Sequence, residues 1–120
     1  MLERFPDDHC RARVELERGA GGPHVGMAEG PYGVNETVRC VAEATTHAIH
    51  QAFAFASDTL VVQDVTLRDL FGKQAVFVEV AANHGGTRRQ LLGFCPIGED
   101  PIRAASLAVL NATNRFLELS

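Results

Sequence analysis

Asp100-Pro101-Ile102-Arg103-Ala104-Ala105-Ser106-Leu107-Ala108-Val109-Leu110-Asn111-Ala112-Thr113-Asn114-Arg115-Phe116 reads as a helix from its first two residues. An aspartate can accept the free N–H groups of a first turn, and a proline directly after it costs no hydrogen bond there. Ile102, Ala105, Ser106, Val109, Ala112, Thr113 and Phe116 then recur at three- and four-residue steps, which places them on one face. The same stripe stands 64 residues earlier, as Val38, Val41, Ala42, Thr45, Ala48, Ile49 and Ala52, with Asn35 as the expected N-cap.

The strands around these helices repeat as well. From Arg11 to Glu17 apolar and charged residues alternate, the period of a half-buried strand. Gly19, Gly21, Gly22 and Pro23 supply a turn, and His24–Ala28 can run back. After the first helix, Leu60–Leu70, Ala75–Ala82 and Arg88–Phe94 read as a meander joined at Phe71-Gly72-Lys73 and Asn83-His84-Gly85-Gly86. A strand holding a glycine, then a turn with proline, precedes each helix, as Val25-Gly26-Met27 and Leu92-Gly93-Phe94. Two amphipathic helices over one sheet would reach the same stripe without duplication. The repeated strand order favours an internal repeat.

The reading is therefore one α+β domain over residues 11–120, with repeat one at 11–56, repeat two at 57–120, and residues 1–10 as a flexible start. Two strands are expected in the first repeat and three in the second, with both helices on one face of an antiparallel sheet. The outward face is expected to carry Val61, Val65, Leu67, Phe77 and Leu91, apolar enough to need a cover such as a second copy of the chain.

Composition excludes several classes. A chain of 120 residues buries a sufficient core without metal or disulfide. With 46% apolar residues and a net charge of -4, it lacks the basic footprint of a nucleic-acid binder. Its apolar runs are too short for a membrane span, and Met1–Pro6 does not read as a secretory leader, so a cytoplasmic location is expected. Cys10, Cys40 and Cys95 form no Cys-x-x-Cys pair, which suits a reducing compartment.

No residue cluster names a reaction. His47 and His50 stand three apart on the first helix, where two imidazoles can share a metal, but no third ligand is apparent; the plainer reading is a pair of hydrogen-bonded histidines beside the stripe. Cys95 precedes the second helix, whose N-terminal dipole favours a thiolate, although no paired base accompanies it and a structural thiol is the alternative. No catalytic residue, metal or cofactor is assigned. The turns Gly30-Pro31-Tyr32-Gly33 and Pro96-Ile97-Gly98-Glu99-Asp100 lead into helix N-termini that suit a carboxylate or phosphate, unless they serve only as helix entries. Gly30, Pro31, Tyr32, Gly33, Gly93, Gly98 and Asp100 are the expected ligand contacts.

Leu92-Gly93, then Asp100-Pro101-Ile102 and the closing Leu110-Asn111-Ala112-Thr113-Asn114-Arg115, resemble the end of the C-terminal regulatory domain of α-isopropylmalate synthases. Glu29-Gly30-Pro31 looks like the turn before that domain's first helix, and Leu60–Val65 like the opening of its second repeat, so the resemblance spans about residues 11–119. It implies paired strand-strand-strand-helix units, a homodimer, and an allosteric amino-acid ligand near the interface. For a stand-alone copy it implies a non-catalytic regulatory domain in amino-acid biosynthesis, binding an amino acid or organic acid and acting on a separate enzyme. Two alternatives stand beside this expectation: a small enzyme using Cys95 and the histidines, and a scaffold subunit that binds another protein through the open sheet face.

Overall fold

In a computed structural model, which describes residues 2–19 and 21–118, eight elements follow one another. They are β1 (Leu2–Phe5), β2 (His9–Glu17), β3 (Pro23–Pro31), α1 (Val34–Phe53), β4 (Leu60–Leu70), β5 (Lys73–His84), β6 (Thr87–Pro96) and α2 (Pro101–Glu118). The architecture is α+β, with two strand-strand-strand-helix repeats. The expected single sheet divides into two three-stranded antiparallel sheets, ordered β1-β2-β3 and β4-β5-β6. The first ten residues, expected to be a flexible start, contain β1, which pairs with β2 from Leu2 opposite Ala12 to Phe5 opposite His9. Its four residues are too few to show alternation, so the first repeat's third strand escapes a periodicity reading.

Two-residue turns set the register of the second sheet. Phe71 and Gly72 lie at φ 52° and 78°, and Gly85 and Gly86 at 58° and 79°. Positive φ at both central positions gives the turn whose twist matches a hairpin's strands. Phe71 meets this demand without being glycine, and its ring is 98% exposed. β4 shifts register between Val62 and Asp64, so Leu60 and Val62 before the bulge, and Val65 and Leu67 after it, share one face.

That face points to the helices. Val65 pairs with Val78, which pairs with Gly93 against α2; Val65 is buried, and Leu67 and Leu91 pack on the core. The expected outward list is corrected accordingly. Of its members only Val61 and Phe77 face away, where Phe77 and Phe94 bring their rings within 5.6 Å and Leu92 stands 73% exposed. The first sheet's outer face is charged instead, with Arg11 bonded to Glu3 at 3.2 Å and Arg13 to Glu15 at 2.6 Å.

Both helices settle on glycine. α1 lies against β2 and β3, α2 against β5 and β6, and the helices touch each other. A side chain at Gly26 would collide with the Ala44 carbonyl oxygen and the Ala48 nitrogen, and one at Gly93 with the Ala108 oxygen and the Ala112 nitrogen. Ala44 and Ala108, like Ala48 and Ala112, are 64 apart, so the two repeats use the same contact. A side-chain bond to the neighbouring strand also recurs: His47 Nδ1 meets the Met27 carbonyl at 2.6 Å, and Asn111 Oδ1 accepts the Phe94 N–H at 3.1 Å. Between the helices, Thr45 and Ser106 hydroxyls bond at 3.0 Å.

The helix starts differ. Asp100 Oδ1 accepts the N–H groups of Ile102 at 3.0 Å and Arg103 at 3.3 Å, the expected cap. Asn35 is not the cap of α1. That position is Gly33, which makes no side-chain cap bond, while Asn35 lies within the first turn.

Candidate functional site: a cavity on the axis between the repeats

A cavity of about 400 Å³ opens where the two helix starts meet. Its walls come from both repeats in matched pairs. Val38 corresponds to Ile102, Thr37 to Pro101 and Gly33 to Ile97, each 64 residues apart, and all six line it. Leu2 and Leu67 complete the match: Leu2 pairs with Ala12 and Leu67 with Val76, at equivalent places in β2 and β5. The cavity therefore lies on the approximate two-fold axis that relates the repeats. The helices meet through Thr45 and Ser106 and leave this wedge at their starts; towards their other ends Phe55 packs against Phe116, ring centroids 6.0 Å apart.

Its chemistry is apolar with a few polar points. Leu2, Val34, Val38, Leu67, Ile97 and Ile102 supply the hydrocarbon, and Tyr32, Thr37 and Gln74 supply the polar groups. Thr37 is buried, and its hydroxyl oxygen accepts the Gly33 N–H at 3.4 Å, which leaves the hydroxyl proton free to donate. Tyr32 is held by its N–H to the Asp8 carbonyl at 2.8 Å and by the Arg4 guanidinium 4.0 Å above its ring.

The expected ligand contacts separate into three groups. Tyr32 and Gly33 line the cavity, as does Ile97 from the second turn. Gly30 and Pro31 still belong to β3, opposite Cys10 and His9, so the first turn shrinks to Tyr32-Gly33. Gly93 is filled by its contact with α2 and faces no open space. Gly98 and Asp100 border a different groove, with Cys95 and Arg103. Neither helix start is vacant for an anion, since Asp100 caps α2, and the Glu36 carboxylate lies where a side chain at Gly33 would be, 2.7 Å from that point.

Thr37, Gln74 and Leu2 were not singled out by the sequence, Leu67 was expected on the outward face, and Ile97 was named only as part of the second turn. The offset of 64 held the signal for Thr37, because Pro101 is its equivalent. Leu2 belonged to a strand too short to read.

The histidines and cysteines are engaged elsewhere. His50 Nε2 accepts the Leu60 N–H at 3.0 Å, which places the neutral ring's proton on Nδ1. Burial, then the neighbouring His47, holds His50 below the usual imidazole value. Among the described residues no three His, Cys, Asp or Glu side chains gather as a metal site. Cys10 and Cys40 are buried, and burial followed by the adjacent Cys10 pushes the Cys40 thiol up to about 11. Cys95 is half-buried, its thiol directed at the Pro96 carbonyl at 3.4 Å. No described helix is long and apolar enough to cross a membrane. No family model, curated protein or solved structure matches the chain.

Proposed function

We propose that this chain is a non-catalytic regulatory domain that binds a small amino acid or organic acid with an apolar side chain in the cavity between its repeats. One observation carries the reading: the cavity is lined by equivalent residues of both repeats, so a molecule held there touches both helix starts and couples the two halves. The size falls within the range of small-molecule sites, and a largely apolar wall with few polar points is their usual composition. The resemblance to the isopropylmalate synthase regulatory domain points to the same ligand class. The homodimer belongs to the proposal as well, through the outer face of the second sheet where Leu92 and Phe94 are exposed. A separate enzyme is the natural recipient of the signal.

Thermal unfolding in the presence of individual amino acids and short-chain acids tests the site. A ligand at a hundredfold excess over its Kd stabilises the native state by about 2.7 kcal/mol, which raises Tm by several degrees. Ile97→Trp, which fills the wedge from its rim, should abolish that rise. Absence of a shift across the panel, or a shift that survives Ile97→Trp, refutes the assignment.

A further inference from the structure

His47 and His50 are each fastened through one ring nitrogen to a different strand. The Met27 carbonyl on β3 can only accept, so the 2.6 Å bond to it places a proton on His47 Nδ1. The Leu60 N–H on β4 can only donate, so the neutral His50 ring gives it the Nε2 lone pair and carries its proton on Nδ1. The two remaining nitrogens are therefore complementary. In neutral rings, His47 Nε2 is an acceptor and His50 Nδ1–H a donor. The same bonds prevent the pair from sharing a metal, because His50 has no second lone pair to give.

Both rings line a pocket of about 450 Å³ at the C-terminal end of α1, together with Gln51, Ala54, Phe55 and Ser57. His50 is only 8% exposed, yet its Nδ1–H has no partner among the described residues. Arg11 Nε is the one described side-chain nitrogen or oxygen both enclosed and unpartnered, so His50 Nδ1 reaches the open space that its ring lines. Buried polar groups are normally satisfied by protein, by water or by a bound molecule. The volume falls in the range of small-molecule sites. No lysine, arginine, aspartate or glutamate lines the pocket, and Ala54 is the C-cap of α1, so the partly negative helix end disfavours an anion.

We propose that this pocket binds the primary carboxamide of a small molecule, its carbonyl oxygen accepting from His50 Nδ1–H and its amide nitrogen donating to His47 Nε2. A carboxylate only accepts, and would set a lone pair against that of His47. An ammonium only donates, and would meet the His50 N–H. The amide carries one function of each kind on neighbouring atoms, which suits rings whose centres stand 6.4 Å apart. Phe55, edge-on to His50, offers an apolar wall to the carbon that bears the amide, and the Gln51 and Ser57 side chains supply further hydrogen bonds. The pocket lies at the opposite end of α1 from the cavity at the helix starts, and its test leaves that assignment untouched.

Long-range proton–nitrogen NMR of the histidine rings, on the whole chain at pH 8 where ordinary imidazoles are neutral, tests the proposal with nicotinamide and L-glutamine as probes. Without a probe, both rings should carry the proton on Nδ1. At least one of the two amides should shift His47 Nε2 and His50 Nδ1 together and saturably. The matched acids, nicotinate and L-glutamate, should bind at least about tenfold more weakly, and His47→Phe should weaken the amide by a similar factor. His47 is exposed, and the comparison of amide with acid reads the same pairing without altering the protein. The proposal is overturned if neither amide moves the two resonances, if the acids bind as tightly, or if His50 carries its proton on Nε2. Binding of N-acetyl-glutamine methylamide without binding of either free amide would overturn it too, by making the occupant a polypeptide.

Discussion

Replacing Gly26 or Gly93 by alanine tests the packing that gives both repeats their shape. At Gly93 the added carbon would stand 2.5 Å from the Ala112 nitrogen and 2.7 Å from its Cβ, with the Ala108 oxygen closer still. Ordinary contact begins near 3.4 Å, so the strand and the helix backbone must separate by about 1 Å. No rotamer can yield in their place, because the obstacles are mainly main-chain atoms. Overpacking of a dense core costs about 1–3 kcal/mol, and a rigid obstacle belongs at the upper end of that range. Alanine also restricts the unfolded chain and favours the strand, an opposing gain of about 0.5–1 kcal/mol. The net expectation is a loss of about 2 kcal/mol at each site, or a fall in Tm of roughly 6–10 °C for a domain of this size. Gly30→Ala in β3 is the control, since nothing lies within 4 Å of its added carbon; it should leave Tm unchanged or raise it slightly. Denaturant and thermal unfolding monitored by circular dichroism provide the measurement. If Gly26→Ala and Gly93→Ala melt within 2 °C of the control, the close helix–strand contact does not carry the packing, and the reasoning fails.

Two further outcomes follow from single side chains. His50 is held below its ordinary value, so the unfolded chain takes up its proton first; stability is full above about pH 6.5 and declines as pH falls towards the folded-state value. His50→Gln should flatten that decline in Tm measured between pH 7.5 and 5. Asp100→Ala removes the acceptor of two first-turn N–H groups and should cost about 1 kcal/mol in urea unfolding, whereas Asp100→Asn should retain most of the stability.

The residues that announced the fold are those whose role is periodic or local. The stripe ending at Phe116, the cap at Asp100 and the turns at Phe71-Gly72 and Gly85-Gly86 depend on a few neighbouring residues, and such features can be read along a chain. Gly26 and Gly93 were visible as marked strand positions, but that a helix backbone rests on each is a fact about distant segments. The bulge at Gln63 was invisible for a related reason. It exchanges the faces of β4 midway, so a single alternating pattern misassigned Val65 and Leu67. The cavity is furthest from the sequence, because Leu2, Thr37, Gln74 and Ile97 converge only after both repeats have folded and docked. Only its two-fold character was written in the chain, in the offset that carries Thr37 to Pro101 and Val38 to Ile102.

An axis of this kind creates an ambiguity for any molecule that enters the wedge. Turned half a revolution, it would meet nearly the same hydrocarbon, Val38 in place of Ile102 and Leu2 in place of Leu67, and two poses would be almost equal in energy. Tyr32, Gln74 and Thr37 break the tie. A hydroxyl occupies one side of the axis, and the other side has Pro101, which offers neither a hydroxyl nor a backbone N–H. Thr37→Val would narrow the difference to what Tyr32 and Gln74 supply, and the preference of a guest for one sense would weaken.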